Sequence, residues 1–109
     1  MTDQIVASFE NYTRSDLYFS LDEINTIHKY TITSTSGNGV MPSEWSFKGS
    51  LNGSVWVYLD EQAGLYYWGD NETATFEITT PSGLDHYKFT FNEVDNMKIS
   101  EIVLITTVS

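Results

Sequence analysis

The sequence contains no cysteine, only two prolines and only five basic residues among its 109. Without cysteine there are no disulfide staples, thiolate metal sites or thiol nucleophiles, and the redox compartment is left undecided. Five Lys and Arg stand against fifteen Asp and Glu, a formal charge of −10. A field of that sign repels phosphate backbones, so direct nucleic-acid binding is not expected. No apolar run approaches the roughly 18–20 residues that cross a bilayer, so no membrane span is expected. Met1-Thr2-Asp3-Gln4 has neither a basic segment nor a signal-like apolar stretch, and nothing in the chain as written directs export. The expected setting is the cytoplasm, or a virion or cell-surface assembly if the chain was cut from a larger system.

What is present is apolar and aromatic: 40% hydrophobic and 15% aromatic residues, enough to offset the entropy lost on ordering. The length predicts one domain spanning residues 1–109. Period-2 alternation recurs and period-3.6 patterning does not, which predicts strands. His28 to Thr33 places Tyr30 and Ile32 on one face and Thr31 and Thr33 on the other. The turn-rich Thr35 to Pro42 is a loop, after which Trp45 to Ser50 resumes alternation. Asn52-Gly53 predicts a type I′ hairpin, with Val55 to Leu59 folding back antiparallel. Thr75 to Thr79, His86 to Phe91 and Ile99 to Thr106 are further strands, and Phe19 to Leu21 is a short one. Met1 to Asp16 is ambiguous. Short strands at this spacing predict an all-β antiparallel sandwich or barrel.

Antiparallel succession sorts the loops. Thr35 to Ser43, Asp60 to Glu72 and Asn92 to Lys98 should share one end, with Asn52-Gly53 and Pro81 to Asp85 at the other. The end with the longer loops is the better place for a site.

The run Pro42-Ser43-Glu44-Trp45-Ser46-Phe47-Lys48-Gly49-Ser50-Leu51-Asn52-Gly53-Ser54-Val55-Trp56-Val57-Tyr58-Leu59-Asp60 resembles a pattern of galactose-binding-like domains. These include coagulation-factor type C (discoidin) domains and bacterial carbohydrate-binding modules. Their pattern is a Pro, an aromatic strand, Gly-Ser, a two-residue turn, then Trp and Leu-Asp. Trp68, Phe76 and Ile78, Tyr87-Lys88-Phe89 and Ile99 to Leu104 follow in the family's order. Ala7-Ser8-Phe9-Glu10-Asn11 is similar to a compressed form of its opening segment. The resemblance implies a jelly-roll, galactose-binding-like sandwich, with Trp68 in the core. It also implies that one N-terminal strand is missing or supplied by a partner, and that function is set by loops at one end.

Many members hold a structural Ca²⁺, which takes six to eight oxygens. The matching positions are Glu10, Asn11, Thr13 and Glu101, with Glu10-Asn11 replacing the usual Asp-Gly or Asp-Asn. For a sugar, which needs an aromatic face and planar hydrogen-bonding groups, the loop end offers Tyr12, Arg14, Asn38, Asn92, Asp95 and Asn96. The family's His and Arg after the central strand are absent, as is an aromatic between Asn92 and Lys98. Leu65 to Trp68 is the densest aromatic stretch, and Tyr66 or Tyr67 would anchor a partner if exposed. Trp45, Phe47, Trp56, Phe76, Tyr87 and Phe89 read as core or half-buried.

Catalysis has the thinnest support. His28 and His86 are the only imidazoles and both read as strand residues. Asp60 and Glu61 are adjacent, so on a strand they point to opposite faces. The glycosylation-type tripeptides at Asn11, Asn52 and Asn71 are taken as chance. The chain is therefore expected to bind and not to catalyse. The leading expectation is a carbohydrate-binding or adhesion module that takes a glycan or a protein surface. The alternative is a structural or interaction subunit, such as a phage virion decoration or tail-tip protein, acting as a homo-oligomer or within a parent assembly. Acidic mimicry of nucleic acid ranks third, because the acids are scattered and such charge more often serves solubility.

Overall fold

Alternation becomes eight strands in the computed structural model, which describes residues 2–35, 41–64 and 68–108. In chain order they are β1 (Thr2–Tyr12), β2 (Asp16–Thr26), β3 (Lys29–Ser34), β4 (Trp45–Leu51), β5 (Val55–Gln62), β6 (Thr73–Glu77), β7 (Gly83–Phe91) and β8 (Ile99–Val108). They form two four-stranded antiparallel sheets, ordered β1-β8-β3-β6 and β2-β7-β4-β5. This is the jelly-roll order in which two Greek keys wrap one core.

Inward positions of both sheets fill that core. Tyr30, Ile32, Ile102 and Leu104 of the first sheet and Phe47, Tyr87 and Phe89 of the second are completely buried. Phe47 and Phe89 stack at 4.2 Å, and Tyr30 meets Phe89 edge-on at 5.2 Å. Each such side chain contributes roughly 1.5–3 kcal/mol through burial. Trp68 is buried as the resemblance implied, and its indole N–H donates to the Pro42 carbonyl.

Gly49 faces inward where the Leu84 and Leu59 methyls fill the space a Cβ would need. This gives the Gly-Ser element of the motif a packing cause. Leu59-Asp60 has one too. The Asp60 carboxylate accepts from the Tyr30 hydroxyl at 2.6 Å and from the Gln62 amide at 3.1 Å, while the Trp45 indole donates to Tyr30 at 2.9 Å. Burial, reinforced by Asp60, holds the Tyr30 hydroxyl far above the ordinary tyrosine range.

Three expectations are corrected. The N-terminal region is not short of a strand, because it supplies both β1 and β2, each eleven residues long. Irregular pairing hides them from a period-2 reading: β1 shifts register between Ile5 and Ala7, and β2 leaves its pairing with β7 between Ser20 and Asn25. Asn52 and Gly53 do take left-handed conformations, φ 68° and 80°. Yet Leu51 pairs with Val55, so the connection holds three residues and not two. His28 precedes β3, and its ring nitrogen accepts the Thr107 amide N–H.

The loops sort as expected. Near the ends of β3, β4 and β7, Ser34 N–H donates to Glu72 O, Thr35 Oγ1 to Lys98 O, and Ser43 N–H to the Asn92 side chain. At the opposite end, the Asn52 N–H donates to the Asp85 carboxylate at 3.0 Å.

Candidate functional site

A groove of about 470 Å³ lies on the shoulder where the loop end meets the outer face of the β2-β7-β4-β5 sheet. Phe91 and Trp45, both buried inward residues, back it. Outward positions of β4, β5 and β7 furnish Ser46, Tyr58, Glu61 and Thr90, and the strand ends add Glu44, Gln62 and Asn92. Asp60 and Glu61 do point to opposite faces, the first to Tyr30 and the second into this groove. The carboxylates of Glu44 and Glu61 have no hydrogen-bond or ion-pair partner among the described residues. Such a lining can accept from hydroxyls through the carboxylates and donate through the Asn92 amide. Tyr58, 62% exposed, offers a ring.

The expected ligand residues divide. Asn92 lines the groove, but its Oδ1 already accepts the Ser43 and Glu44 N–H groups at 2.9 and 3.1 Å, so it braces the β4 entry as well. Asp95 and Asn96 join Thr13 in a separate groove of about 300 Å³, with Ser15, Glu93, Val94 and Met97. Asn96 is left-handed at φ 58°, which favours asparagine for backbone reasons. Tyr12 donates to the Asp16 carbonyl, and burial together with Asp16 raises its hydroxyl pKa. Arg14 is exposed in the β1–β2 connection. Tyr12 and Arg14 line neither groove. Asn38, Tyr66 and Tyr67 lie outside the described residues.

Of the calcium set, Glu10 and Glu101 are direct cross-strand partners on β1 and β8, and Asn11 beside them is left-handed at φ 51°. Among the described residues no group of three or more His, Asp or Glu could hold a metal. A calcium ion at this pair would draw most of its six to eight oxygens from backbone carbonyls and water.

A second feature, unread in the sequence, is the outer face of the sheet below the shoulder. Tyr18, Lys88, Lys48 and Tyr58 form one row across all four strands. Lys48 Nζ lies 4.8 Å above the Tyr58 ring and Lys88 Nζ 4.7 Å above the Trp56 ring. Tyr18 meets Trp56 edge-on at 5.8 Å. At exposed sites such cation–π contacts contribute about 0.5–1 kcal/mol each. The only advance signal was that Tyr18, Lys48, Trp56, Tyr58 and Lys88 fall on the outward phase of their strands.

No protein-family model and no curated protein sequence matches this chain. Solved structures match its fold. A carbohydrate-binding module, CBM32-1 of a family 31 glycoside hydrolase from Clostridium perfringens, superposes with TM-score 0.68 at 17% identity, covering 93% of this chain and 78% of its own. The family 32 module of C. perfringens NanJ, solved in complex with galactose, gives 0.60 at 17%, covering 89% and 69%. Allantoicase from Saccharomyces cerevisiae gives 0.63 at 15%, covering 96% of this chain but 40% of its own. This chain thus shares the β-sandwich fold of these carbohydrate-binding modules and of allantoicase.

Proposed function

We propose that this domain is a non-catalytic carbohydrate-binding module, suited to adhesion, that takes a sugar in the shoulder groove. The observation that carries the reading is the lining itself. One exposed aromatic ring, two unpaired carboxylates and an amide converge on about 470 Å³, in the fold of modules of which one was solved with galactose. The Tyr58 ring stacks on the apolar side of a pyranose, Glu44 and Glu61 accept from its hydroxyls, and the Asn92 amide donates. Titration calorimetry with galactose, N-acetylgalactosamine and glucose tests this. Saturable binding that Tyr58→Ala or Glu61→Gln weakens by about tenfold or more, with the fold retained, supports it. No saturable binding of any sugar, with or without calcium, rejects it.

A structural calcium ion at Glu10, Asn11, Thr13 and Glu101 belongs to the same reading, since it would neutralise the Glu10–Glu101 pair. A calcium-dependent rise in melting midpoint that Glu101→Gln removes is its test.

The second reading, a structural or interaction subunit such as a phage decoration or tail-tip protein, draws on Leu51, Val55 and Val57 at the end away from the loops. These side chains are exposed, Val55 by 74%. Sedimentation showing a strict monomer, whose removal leaves its parent assembly unchanged, would sink it.

A further inference from the structure

Lys48 and Lys88 stand directly opposite each other on β4 and β7. Like charges in that position repel. The chain has only five basic residues and fifteen acids, yet neither lysine has a carboxylate within ion-pair distance among the described residues. Both ammonium groups are instead held over aromatic rings, and the row ends in the exposed Tyr18 and Tyr58. With neighbouring strands roughly 4.7–4.9 Å apart, the row runs about 14 Å straight across the sheet. In the next row toward the loops, Asp16, Thr90, Ser46 and Glu61 follow in order, with acids at both ends. That rim confines a negative group to the lysine line. Among the described residues the lysine pair thus has no carboxylate partner, and the exposed rings of Tyr18 and Tyr58 flank it on both sides.

We propose that the outer face of the β2-β7-β4-β5 sheet binds a uronic-acid-bearing glycan chain, its carboxylates on Lys48 and Lys88 and its sugar rings against Tyr18 and Tyr58. An extended β-linked chain can follow a row of side chains across four strands, and charge-assisted hydrogen bonds to two adjacent ammonium groups select the acid over the neutral sugar. The inference rests on the carbohydrate-binding reading and adds a substrate class to it. Tyr58, at the boundary, makes the shoulder groove and the face one continuous surface.

The test compares β-linked glucuronic acid oligomers with glucose oligomers of the same linkage and length, which lack only the carboxylate. Expected is a preference of about tenfold for the acidic oligomer, lost in Lys48→Gln/Lys88→Gln and restored in Lys48→Arg/Lys88→Arg. Unchanged melting midpoints establish that the variants fold. An acid preference that survives in the Gln double variant overturns the inference. Equal binding of dextran sulfate overturns it as well, because charge alone would then suffice. Galactose titration of the same double variant separates the two readings. Retained galactose binding with no acid preference leaves the groove standing and removes the face. Lysine-dependent acid binding without any neutral sugar binding does the reverse.

Discussion

The two outward faces of the sandwich cover the same core and differ in almost everything else. Across the β1-β8-β3-β6 sheet the surface is largely short and hydroxylated. Thr33 and Thr73 share a hydrogen bond of 2.8 Å, Thr31 and Thr75 are cross-strand partners, and Glu10 opposes Glu101. Across the β2-β7-β4-β5 sheet it is aromatic and cationic, with Tyr18, Trp56, Tyr58 and His86 around Lys48 and Lys88. Both faces meet the same demand of period-2 alternation, apolar inside and polar outside. The inward residues therefore specify the fold, whereas the outward ones are free to specify a ligand. Each face also carries one like-charge cross-strand pair, acidic on one and basic on the other.

The comparison can be broken or sharpened in graded steps. Phe89→Ala removes a completely buried ring that touches Phe47, Phe91 and Tyr30. It should cost about 3–5 kcal/mol by denaturant unfolding and weaken both faces together. Gly49→Ala drives a methyl into Leu84 under the aromatic face alone, and should cost about 1–3 kcal/mol. Its effect on acidic-oligomer affinity should exceed any change in a calcium-dependent melting shift at Glu10 and Glu101.

Tyr87→Phe comes next. Its hydroxyl lies within hydrogen-bonding distance of the Asn25 and Leu84 carbonyls, and burial, with Asp85 nearby, pushes it up to about 12 from an ordinary value of 10.0. A raised folded value means the contribution is full below pH 10 and is lost as the pH rises toward 12. The wild type should therefore lose stability in that alkaline window more steeply than Tyr87→Phe. At neutral pH the variant should be weaker by about 1 kcal/mol. The smallest steps are charge reversals. Lys48→Glu and Glu101→Lys each turn a like-charge pair into an attractive one and should stabilise by about 0.2–1 kcal/mol in thermal melts. Of the two, only Lys48→Glu should abolish acidic-oligomer binding.

From His28 onward the strands were legible because their inward residues are large and regularly spaced: Tyr30 and Ile32, Phe47, Phe89 and Phe91, Ile102 and Leu104. β1 was not, and β2 was legible only at Phe19 to Leu21, because Phe9, Phe19 and Leu21 are only partly buried and the register breaks interrupt the period. The loop end was legible from antiparallel succession. The groove lining was not, since Ser46, Tyr58, Glu61 and Thr90 lie on strands and converge only once β4 pairs with β5 and β7. Asn92 was found, although its brace to Ser43 and Glu44 depends on a contact 48 and 49 residues away in the chain. The adjacency of Lys48 and Lys88 likewise exists only once β4 and β7 pair.

Every described residue other than glycine with a left-handed backbone is an asparagine: Asn11, Asn52, Asn71 and Asn96. Three of these, Asn11, Asn52 and Asn71, begin tripeptides that glycosylating cells recognise, and all three are exposed. The turn chemistry therefore writes three attachment signals into the surface as a by-product. In a host with that machinery the protein would carry glycans of its own at three of its turns. Those at Asn11 and Asn71 would stand at the loop end and that at Asn52 at the opposite end, so the production host decides how much of the surface at both ends is left bare.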